Sequence, residues 1–265
     1  MDQRSKNLRR TVVDIISIER RGHFGSAMSS IEILRVLFDN FLRFRPDQPD
    51  WKERDRFILS KGHGCLSLYA VLADKGFFPE EDLLTFCKPD SPFGGHPERS
   101  KIPGVEASTG ALGHGLPIGV GMAVAAIIKQ QSYRVVVLTG DGEINEGSVW
   151  EAALSAAKHR LSNLTVFIDY NKFQSYGATT EVLDLEPLAD KWRSFGFAVE
   201  EIDGHNVHEL EQLTDRLPLD PKKPTAIICH TIKGKGFYFA EEKIEWHHKS
   251  KISDEEIKEM YQCLL

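Results

Sequence analysis

The sequence predicts an α/β fold, a mainly parallel twisted β-sheet with helices on both faces, and two observations support it. Four β-rich apolar runs begin at residues 134, 164, 197 and 225, so their starts lie 30, 33 and 28 residues apart. That spacing is typical of successive strand–helix–strand units, whose crossover helices cover the sheet. The chain has 265 residues, 41% of them apolar, which is enough core for one large domain over residues 1–265.

The first half of the chain predicts two opening helices and one further strand. Apolar side chains recur at helical spacing over 8–18, and a second helix is expected to begin at Ser30, with this serine as its cap. Residues 56–60 predict a short buried strand, and residues 64–73 a helix behind it. Residues 88–115 are rich in glycine and proline and too long for an ordinary connection, so this segment is expected to be functional.

Composition and charge exclude several classes of protein. The 39 acidic and 33 basic side chains give a formal charge of -6, which disfavours binding to nucleic acid or to an anionic membrane surface. The four cysteines form no C-x-x-C pair, so they indicate neither a zinc site nor a disulfide framework. The polar N-terminus lacks a signal-peptide core, and no apolar stretch is long enough to span a bilayer. We therefore expect a cytoplasmic protein that acts on small molecules.

Polar residues follow two consecutive predicted strands at their carboxyl ends. Gly140-Asp141-Gly142 comes directly after the strand that begins at 134, and Asn171 comes after the strand that begins at 164. Ligands of open parallel sheets bind beyond the carboxyl ends of the strands, so these side chains are expected to converge there. The G-D-G tripeptide alone is also a common turn. The asparagine at the equivalent point of the next unit favours a binding site.

The donors at this edge suit a divalent cation that carries a diphosphate. The oxygens of Asp141 and Asn171 are the hard ligands that Mg²⁺ prefers, with Ca²⁺ or Mn²⁺ as substitutes, and phosphate oxygens complete the coordination. A backbone carbonyl near Phe173 is a candidate third ligand. Gly140 and Gly142 allow a diphosphate to approach the backbone, and a helix beginning near residue 146 directs its N-terminal amides towards it.

The motif and its surroundings resemble transketolases. Gly140-Asp141-Gly142 with Asn171, 30 residues after the aspartate, is similar to the metal–diphosphate motif of thiamine diphosphate enzymes. Further stretches narrow the resemblance, and they run in order over nearly the whole chain: RGHFGSAMS, LSKGHGCLSLYA, GGHPE, STGALGHGLPIGVGMA, GDGEINEGSVWEAA and IKGKGFYF. The chain most closely resembles the separately encoded N-terminal half of a split transketolase.

The resemblance implies transfer of a two-carbon ketol unit from a ketose or ketose phosphate to an aldose, with thiamine diphosphate as cofactor. The implied metal ligands are Asp141, Asn171 and the carbonyl of Phe173. The other implied cofactor-binding residues are His63, Gly110, Ala111, Leu112, Gly142, Glu143 and Lys233. The implied catalytic residues are His23, His63, His96, His247, Glu146 and Glu151. The implied substrate-binding residues are Ser26 and three of those histidines, His23, His96 and His247.

Some of these residues have a second interpretation. Imidazoles suit proton handling near neutral pH, although any single histidine can equally be structural. His247 is chosen over His248 because it directly follows Trp246 in the pattern. Glu146 and Glu151 either place favourable charge near a helix N-terminus or join a carboxylate network between two cofactor sites.

The resemblance also implies a partner chain. In this family a second domain holds the aminopyrimidine ring of the cofactor, and the sequence to Leu265 resembles the diphosphate-binding domain alone. We therefore expect a C-terminal subunit with pyrimidine-binding and C-terminal domains, an α2β2 assembly, and no activity without that subunit. Two alternative hypotheses are that the enzyme catalyses a different thiamine diphosphate reaction, such as decarboxylative two-carbon transfer, and that the chain is a non-catalytic regulatory subunit. A dehydrogenase is disfavoured because no G-x-G-x-x-G follows the strand at 134.

Overall fold

The structure, a computed structural model that describes residues 1–265, contains the predicted sheet. Its strands are β1 Arg56–Leu59, β2 Val135–Gly140, β3 Leu164–Tyr170, β4 Phe173–Gln174, β5 Gly177–Ala178, β6 Ala198–Asp203 and β7 Thr225–His230. Its helices are α1 Gln3–Glu19, α2 Phe24–Met28, α3 Ile31–Val36, α4 Cys65–Asp74, α5 Gly115–Ile128, α6 Gly147–Lys158, α7 Thr179–Val182, α8 Leu188–Ser194, α9 Val207–Thr214 and α10 Asp254–Cys263. The five predicted strands are all confirmed, each beginning within one residue of its expected position.

The main sheet is parallel and buried on both faces. Its strands lie in the order β1-β2-β3-β7-β6, and every residue of β2 and β3 is buried. Alternate side chains of β2 enter different cores: Val136 and Leu138 pack with α1 to α4, whereas Val135 and Val137 pack with α5 and α6. Because both faces are covered, these strands are continuous apolar runs rather than alternating ones.

The strand order brings the site-bearing loops to one edge of the sheet. The chain passes from β3 to the edge strand β6 and then returns to β7, which lies between them. The carboxyl ends of β1, β2, β3 and β7 are therefore neighbours, and the four loops that follow them meet at this edge. An edge where the strand order reverses is the usual ligand site of an open α/β sheet.

The N-terminal region differs from the prediction. It contains three helices rather than two, and a π-helical turn over Leu37–Phe41 extends the third. Ser30 occupies the position before α3, but its side chain makes no capping hydrogen bond. The buried Ser30 hydroxyl instead lies 3.3 Å from the carbonyl oxygens of Ser26 and Ala27 and 3.2 Å from the Ser67 hydroxyl. The predicted serine cap is therefore wrong, because packing between α2 and α4 gives this hydroxyl nearer partners.

The segment 88–115 is irregular up to α5, as predicted, and it is attached to the sheet edge by side-chain hydrogen bonds. The Tyr69 hydroxyl donates to the carbonyl of Gly94 at 2.9 Å, and the Thr109 hydroxyl donates to the carbonyl of Leu59 at 2.7 Å. The sequence did not predict the small antiparallel hairpin of β4 and β5, which directly follows Asn171. None of the helices is both long and apolar enough to cross a membrane.

Candidate active site

A cavity of about 610 Å³ opens at the carboxyl edge of the sheet. Most of the site residues expected from the sequence line it: His23, Ser26, His63, His96, Gly110, Leu112, Asp141, Gly142, Glu143, Glu146, Asn171, Phe173, Lys233 and His247. Two do not. Ala111 is exposed beside the cavity, and Glu151 is exposed on α6. The volume is in the range of small-molecule and cofactor sites.

Asp141 is a buried carboxylate without an ionic partner. It is 3% exposed, and its oxygens accept hydrogen bonds from the backbone N–H groups of Gly142 at 2.7 Å and Lys172 at 2.5 Å. Burial, together with the negative charge of Asp169, raises the pKa of Asp141 to about 7. A cation bound here would compensate for the buried charge, so this carboxylate fits a metal site.

The other two candidate metal ligands lie on the same loop. The Asn171 amide oxygen accepts the Phe173 N–H at 3.2 Å, and the Phe173 carbonyl accepts the Lys233 ammonium at 2.7 Å. Burial lowers the pKa of Lys233 to about 8, against the raising effect of Asp141. The chain has no group of three His, Cys, Asp or Glu side chains placed to hold a metal. An all-oxygen set completed by ligand phosphates fits Mg²⁺ in this position.

Beneath these ligands lies an ion pair that sequence reasoning missed. The Lys61 ammonium pairs with the carboxylate of Asp169, and the two side chains are 1% and 0% exposed. The Lys61 ammonium also donates to the Ser26 carbonyl at 2.9 Å, and Asp169 accepts hydrogen bonds from the hydroxyls of Ser29 and Thr231. Burial raises the pKa of Asp169, but the charge of Lys61 and the hydrogen bonds from Lys61, Ser29 and Thr231 together outweigh burial and leave the pKa lowered. Asp169 therefore stays ionised, and its charge acts on Asp141.

A sequence signal for this pair was present. Lys61 directly precedes the glycine and histidine of the LSKGHG stretch, and Asp169 is a carboxylate within an otherwise apolar buried strand. An ionisable residue in such a strand needs a partner. Gly140, which was named from the sequence, also lines the cavity. Further lining residues were missed, and most of them belong to the hairpin and short helix after Asn171: Asn145, Gln174, Ser175, Tyr176, Val182 and Leu183.

The Glu143 carboxylate organises the cavity wall. It accepts hydrogen bonds from the Ser60 hydroxyl at 2.5 Å and from the N–H groups of Gly113 at 2.9 Å and Gly140 at 3.1 Å. Burial raises its pKa. These bonds join the loop after β2 to the segment before α5. Direct contact of Glu143 with a cofactor stays a prediction.

Four predicted histidines form a cluster that lines the same cavity. The ring centroid of His23 lies 5.2 Å from that of His63, 6.1 Å from that of His96 and 5.9 Å from that of His247. The segments that carry them are far apart in sequence, and the fold alone brings them together.

The imidazoles of this cluster are neutral at neutral pH. Burial, and then the nearby charges of His248, His96 and the two lysines, lower the pKa of His23 to about 4. Burial and neighbouring charges lower the pKa of His247 to about 3 and that of His63 well below its usual range, and burial lowers that of His96. A neutral imidazole both donates and accepts hydrogen bonds, so the cluster suits polar ligand groups such as sugar hydroxyls.

His247, rather than His248, lines the cavity. Its Nε2 lies 3.0 Å from the Ser175 hydroxyl, and its Nδ1 is buried without a partner. His248 packs against His23, with ring centroids 4.6 Å apart. The choice of His247 therefore agrees with the geometry.

At two positions of the cavity wall, only glycine fits without a close contact to a neighbouring side chain. Gly110 has a φ of +145°, and a Cβ there would lie 2.9 Å from the His96 ring. A Cβ on Gly142 would lie 2.9 Å from the Cβ of Gln174 in the hairpin. Any side chain at either position would displace a lining residue. Cys65, nearby, is a packing residue, since burial raises the pKa of its thiol to about 12.

The parallel sheet, the oxygen donors at its carboxyl edge and the histidines in the same cavity define a class of protein, an α/β enzyme component that binds a small anionic cofactor. The family model described as "Transketolase, thiamine diphosphate binding domain" matches residues 1–264. The chain therefore belongs to the transketolase family and comprises its thiamine diphosphate-binding domain.

Relatives of two sizes match the chain. A subunit of an apulose-4-phosphate transketolase from Actinobacillus succinogenes is 42% identical over 96% of this chain and 92% of its own length. A subunit of a 6-deoxy-6-sulfo-D-fructose transketolase from a Clostridium species is 43% identical over 88% of this chain and 85% of its own length. The human transketolase is 36% identical over 97% of this chain, but the match spans only 41% of that enzyme.

The fold also matches solved transketolases. A Pichia stipitis transketolase in complex with sedoheptulose-7-phosphate has a TM-score of 0.92 and 30% identity over 99% of this chain. The match covers 40% of that chain. The Campylobacter jejuni transketolase gives a TM-score of 0.89 and 29% identity, over 99% of this chain and 42% of its own.

Proposed function

We propose that this chain is the thiamine diphosphate-binding subunit of a split transketolase-type transferase, with residues 1–265 as its single diphosphate-binding domain. The complete enzyme transfers a two-carbon ketol unit from a ketose or ketose phosphate to an aldose. One observation carries the proposal: a single cavity joins the oxygen ligands after β2 and β3 to a cluster of neutral histidines. Relatives of similar length are named as transketolase subunits, which supports it.

The edge formed by Asp141, Asn171 and the Phe173 carbonyl would hold Mg²⁺ and, through it, the diphosphate. Asp141 supplies the negative charge, and the neutral oxygens of Asn171 and Phe173 complete the protein's share of the coordination. Lys233 adds positive charge beside them, 2% exposed. The Lys233 ammonium, which forms no salt bridge in the chain, would attract the negative charge of a bound diphosphate.

The histidines would handle the sugar. Bound thiamine diphosphate supplies the electron sink that allows a carbon–carbon bond next to a carbonyl to break. His23, His96 and His247 orient the hydroxyls and carbonyl oxygen of the sugar, and the His63 ring lies 5.2 Å from that of His23 and 5.9 Å from that of His247. An anionic ligand in the cavity raises the lowered pKa values of these imidazoles, which allows proton transfer near neutral pH. Ser26 lines the same cavity.

The enzyme is proposed to require a partner subunit. The cavity is open to solvent beside the exposed side chains of Tyr176 and Leu183, which are 87% and 58% exposed. Single-chain relatives have more than twice the length of the matched region. We propose that a second polypeptide supplies the pyrimidine-binding and C-terminal domains and completes an α2β2 enzyme, in which Glu146 and Glu151 link two sites. Its substrates are sugars or sugar phosphates, and it binds neither nucleic acid nor membranes. We propose that it acts in the cytoplasm.

The test is purification of the tagged full chain from its native cell in thiamine diphosphate and Mg²⁺. The expected result is a stoichiometric second polypeptide and a complex that moves a two-carbon unit from a ketose phosphate to an aldose. Asp141→Ala should abolish cofactor binding, whereas Asp215→Ala, which removes an exposed carboxylate at the end of α9, should not. Release of CO₂ from a keto acid would instead support decarboxylative transfer, and a complex that binds no thiamine diphosphate would refute the proposal.

A further inference from the structure

His205 is a buried histidine outside the cavity. It lies between β6 and α9, and its side chain is 11% exposed. Its Nδ1 is 3.0 Å from Glu32 Oε2, and its Nε2 is 2.8 Å from the backbone nitrogen of Ile232. A backbone N–H only donates, so Nε2 must accept and Nδ1 must carry the proton. The two contacts therefore select one neutral tautomer with a fixed ring orientation.

Glu32 is held in turn by Arg9. The Arg9 guanidinium is fully buried and donates to both Glu32 oxygens, at 2.5 and 2.9 Å. Burial raises the pKa of Glu32, but the hydrogen bond from His205 and the charge of Arg9 outweigh it and lower the pKa to about 2. Arg9, Glu32 and His205 therefore form a buried relay, a series of hydrogen-bonded side chains. A buried polar network whose groups are hydrogen-bonded makes its surroundings more rigid.

The relay holds the loop after β7 at two points. His205 accepts the N–H of Ile232, and the Arg9 Nε donates to the carbonyl of Lys235 at 2.9 Å. Lys233 lies between these points. Its side chain packs against Gly25, where a Cβ would lie 3.0 Å from the Lys233 Cγ, and its ammonium reaches the Phe173 carbonyl at 2.7 Å.

We infer that His205 is a positioning residue, which fixes the Ile232 peptide so that the Lys233 ammonium is held at the metal–diphosphate edge. The inference rests on the proposed function for the ligand that Lys233 meets, but the hydrogen bonds that carry it belong to this chain alone. His205 does not line the cavity and acts only through the loop.

Two substitutions separate the two contacts of the ring. His205→Asn ends where Nδ1 lies, so it keeps a donor for Glu32 and loses the acceptor for Ile232. His205→Gln places its amide oxygen near the position of Nε2 and keeps that acceptor. A positioning role predicts that His205→Gln keeps the wild-type reactivity of Lys233 and the wild-type affinity for the cofactor, and that His205→Asn does not. A merely structural role predicts equal effects.

The first measurement needs no ligand: the rate at which an amine reagent labels Lys233 in the full-length chain, followed by peptide mass spectrometry. Lys233 is 2% exposed and should react slowly in the wild type and in His205→Gln. In His205→Asn it should react about fivefold faster, the change expected from loss of one hydrogen bond. Equal rates in all three proteins would overturn the inference, and so would fast labelling in a folded His205→Gln.

The second measurement is a double-mutant cycle on the affinity for thiamine diphosphate with Mg²⁺, by titration calorimetry. His205→Asn should weaken binding about fivefold in the wild-type background and have no effect in Lys233→Met. Additive losses would overturn the inference. A wild type that binds no thiamine diphosphate would refute the proposed function instead, and the labelling rates would then decide the role of His205.

Discussion

The two sides of the cavity are built in different ways. The side that carries Asp141 and Asn171 follows the ends of adjacent strands. Two backbone amides hold the Asp141 carboxylate there, and a buried ion pair joins Lys61, after β1, to Asp169 in β3. The histidine side comes from separate loops, and the buried Nδ1 of His247 has no partner within the chain. One side is thus preorganised by the sheet, whereas the other keeps hydrogen-bonding capacity for a ligand. Substitutions on the first side should therefore reduce stability, whereas substitutions on the second side should mainly reduce the reaction rate.

The largest effect is expected from Lys61→Met. It leaves the Asp169 carboxylate buried and without its cation, a situation that costs about 3–5 kcal/mol of the free energy of unfolding. Urea denaturation at pH 7.5 measures the loss. Adding Asp169→Asn to Lys61→Met should recover part of it, because the uncompensated charge is gone. If Lys61→Met alone is as stable as the wild type, the ion pair does not stabilise the side of the cavity that carries Asp141.

The next effect is on rate. His23→Gln should lower kcat/KM of the complete enzyme by roughly 100-fold, the lower range for loss of a general acid or base, with the affinity for thiamine diphosphate unchanged. His23 is at the centre of the cluster and is not among the oxygen ligands. Steady-state kinetics with saturating cofactor give the first quantity and calorimetry the second. Equal loss of binding and rate would remove the distinction between the two sides.

A smaller effect is expected on the pH dependence of stability. The pKa values of His23 and His247 are lowered to about 4 and about 3, mainly by burial, so the unfolded chain binds protons more readily than the folded chain below pH 6.5. Stability should therefore fall as the pH decreases from 6.5 towards 4. The melting temperature of His23→Gln should fall less over that range than the melting temperature of the wild type. His208→Gln, an exposed substitution on α9, is the control and should follow the wild type.

The fold and most of the candidate site could be predicted because they depend on short-range sequence patterns that the structure retains. Strand runs at regular spacing located the sheet, and the positions of Asp141 and Asn171 after two of those strands located its edge. The Lys61–Asp169 pair was missed because its two members are 108 residues apart, and only the pairing of β1, β2 and β3 brings them together. Ser30 was assigned as a cap from its sequence position, but tertiary packing redirected its hydroxyl.

The smallest effect, and the one that extends the comparison beyond the cavity, is expected at Glu151. Its side chain is exposed on α6, on the same helix as Leu154, which is 60% exposed. Glu151→Gln should change the free energy of unfolding of the isolated chain by less than about 0.5 kcal/mol, as is usual for an exposed substitution. If the glutamate instead acts in a carboxylate network between subunits, the same variant should weaken assembly with the partner, measured by sedimentation. A destabilised isolated chain with normal assembly would place Glu151 in the support of α6 and not at an interface.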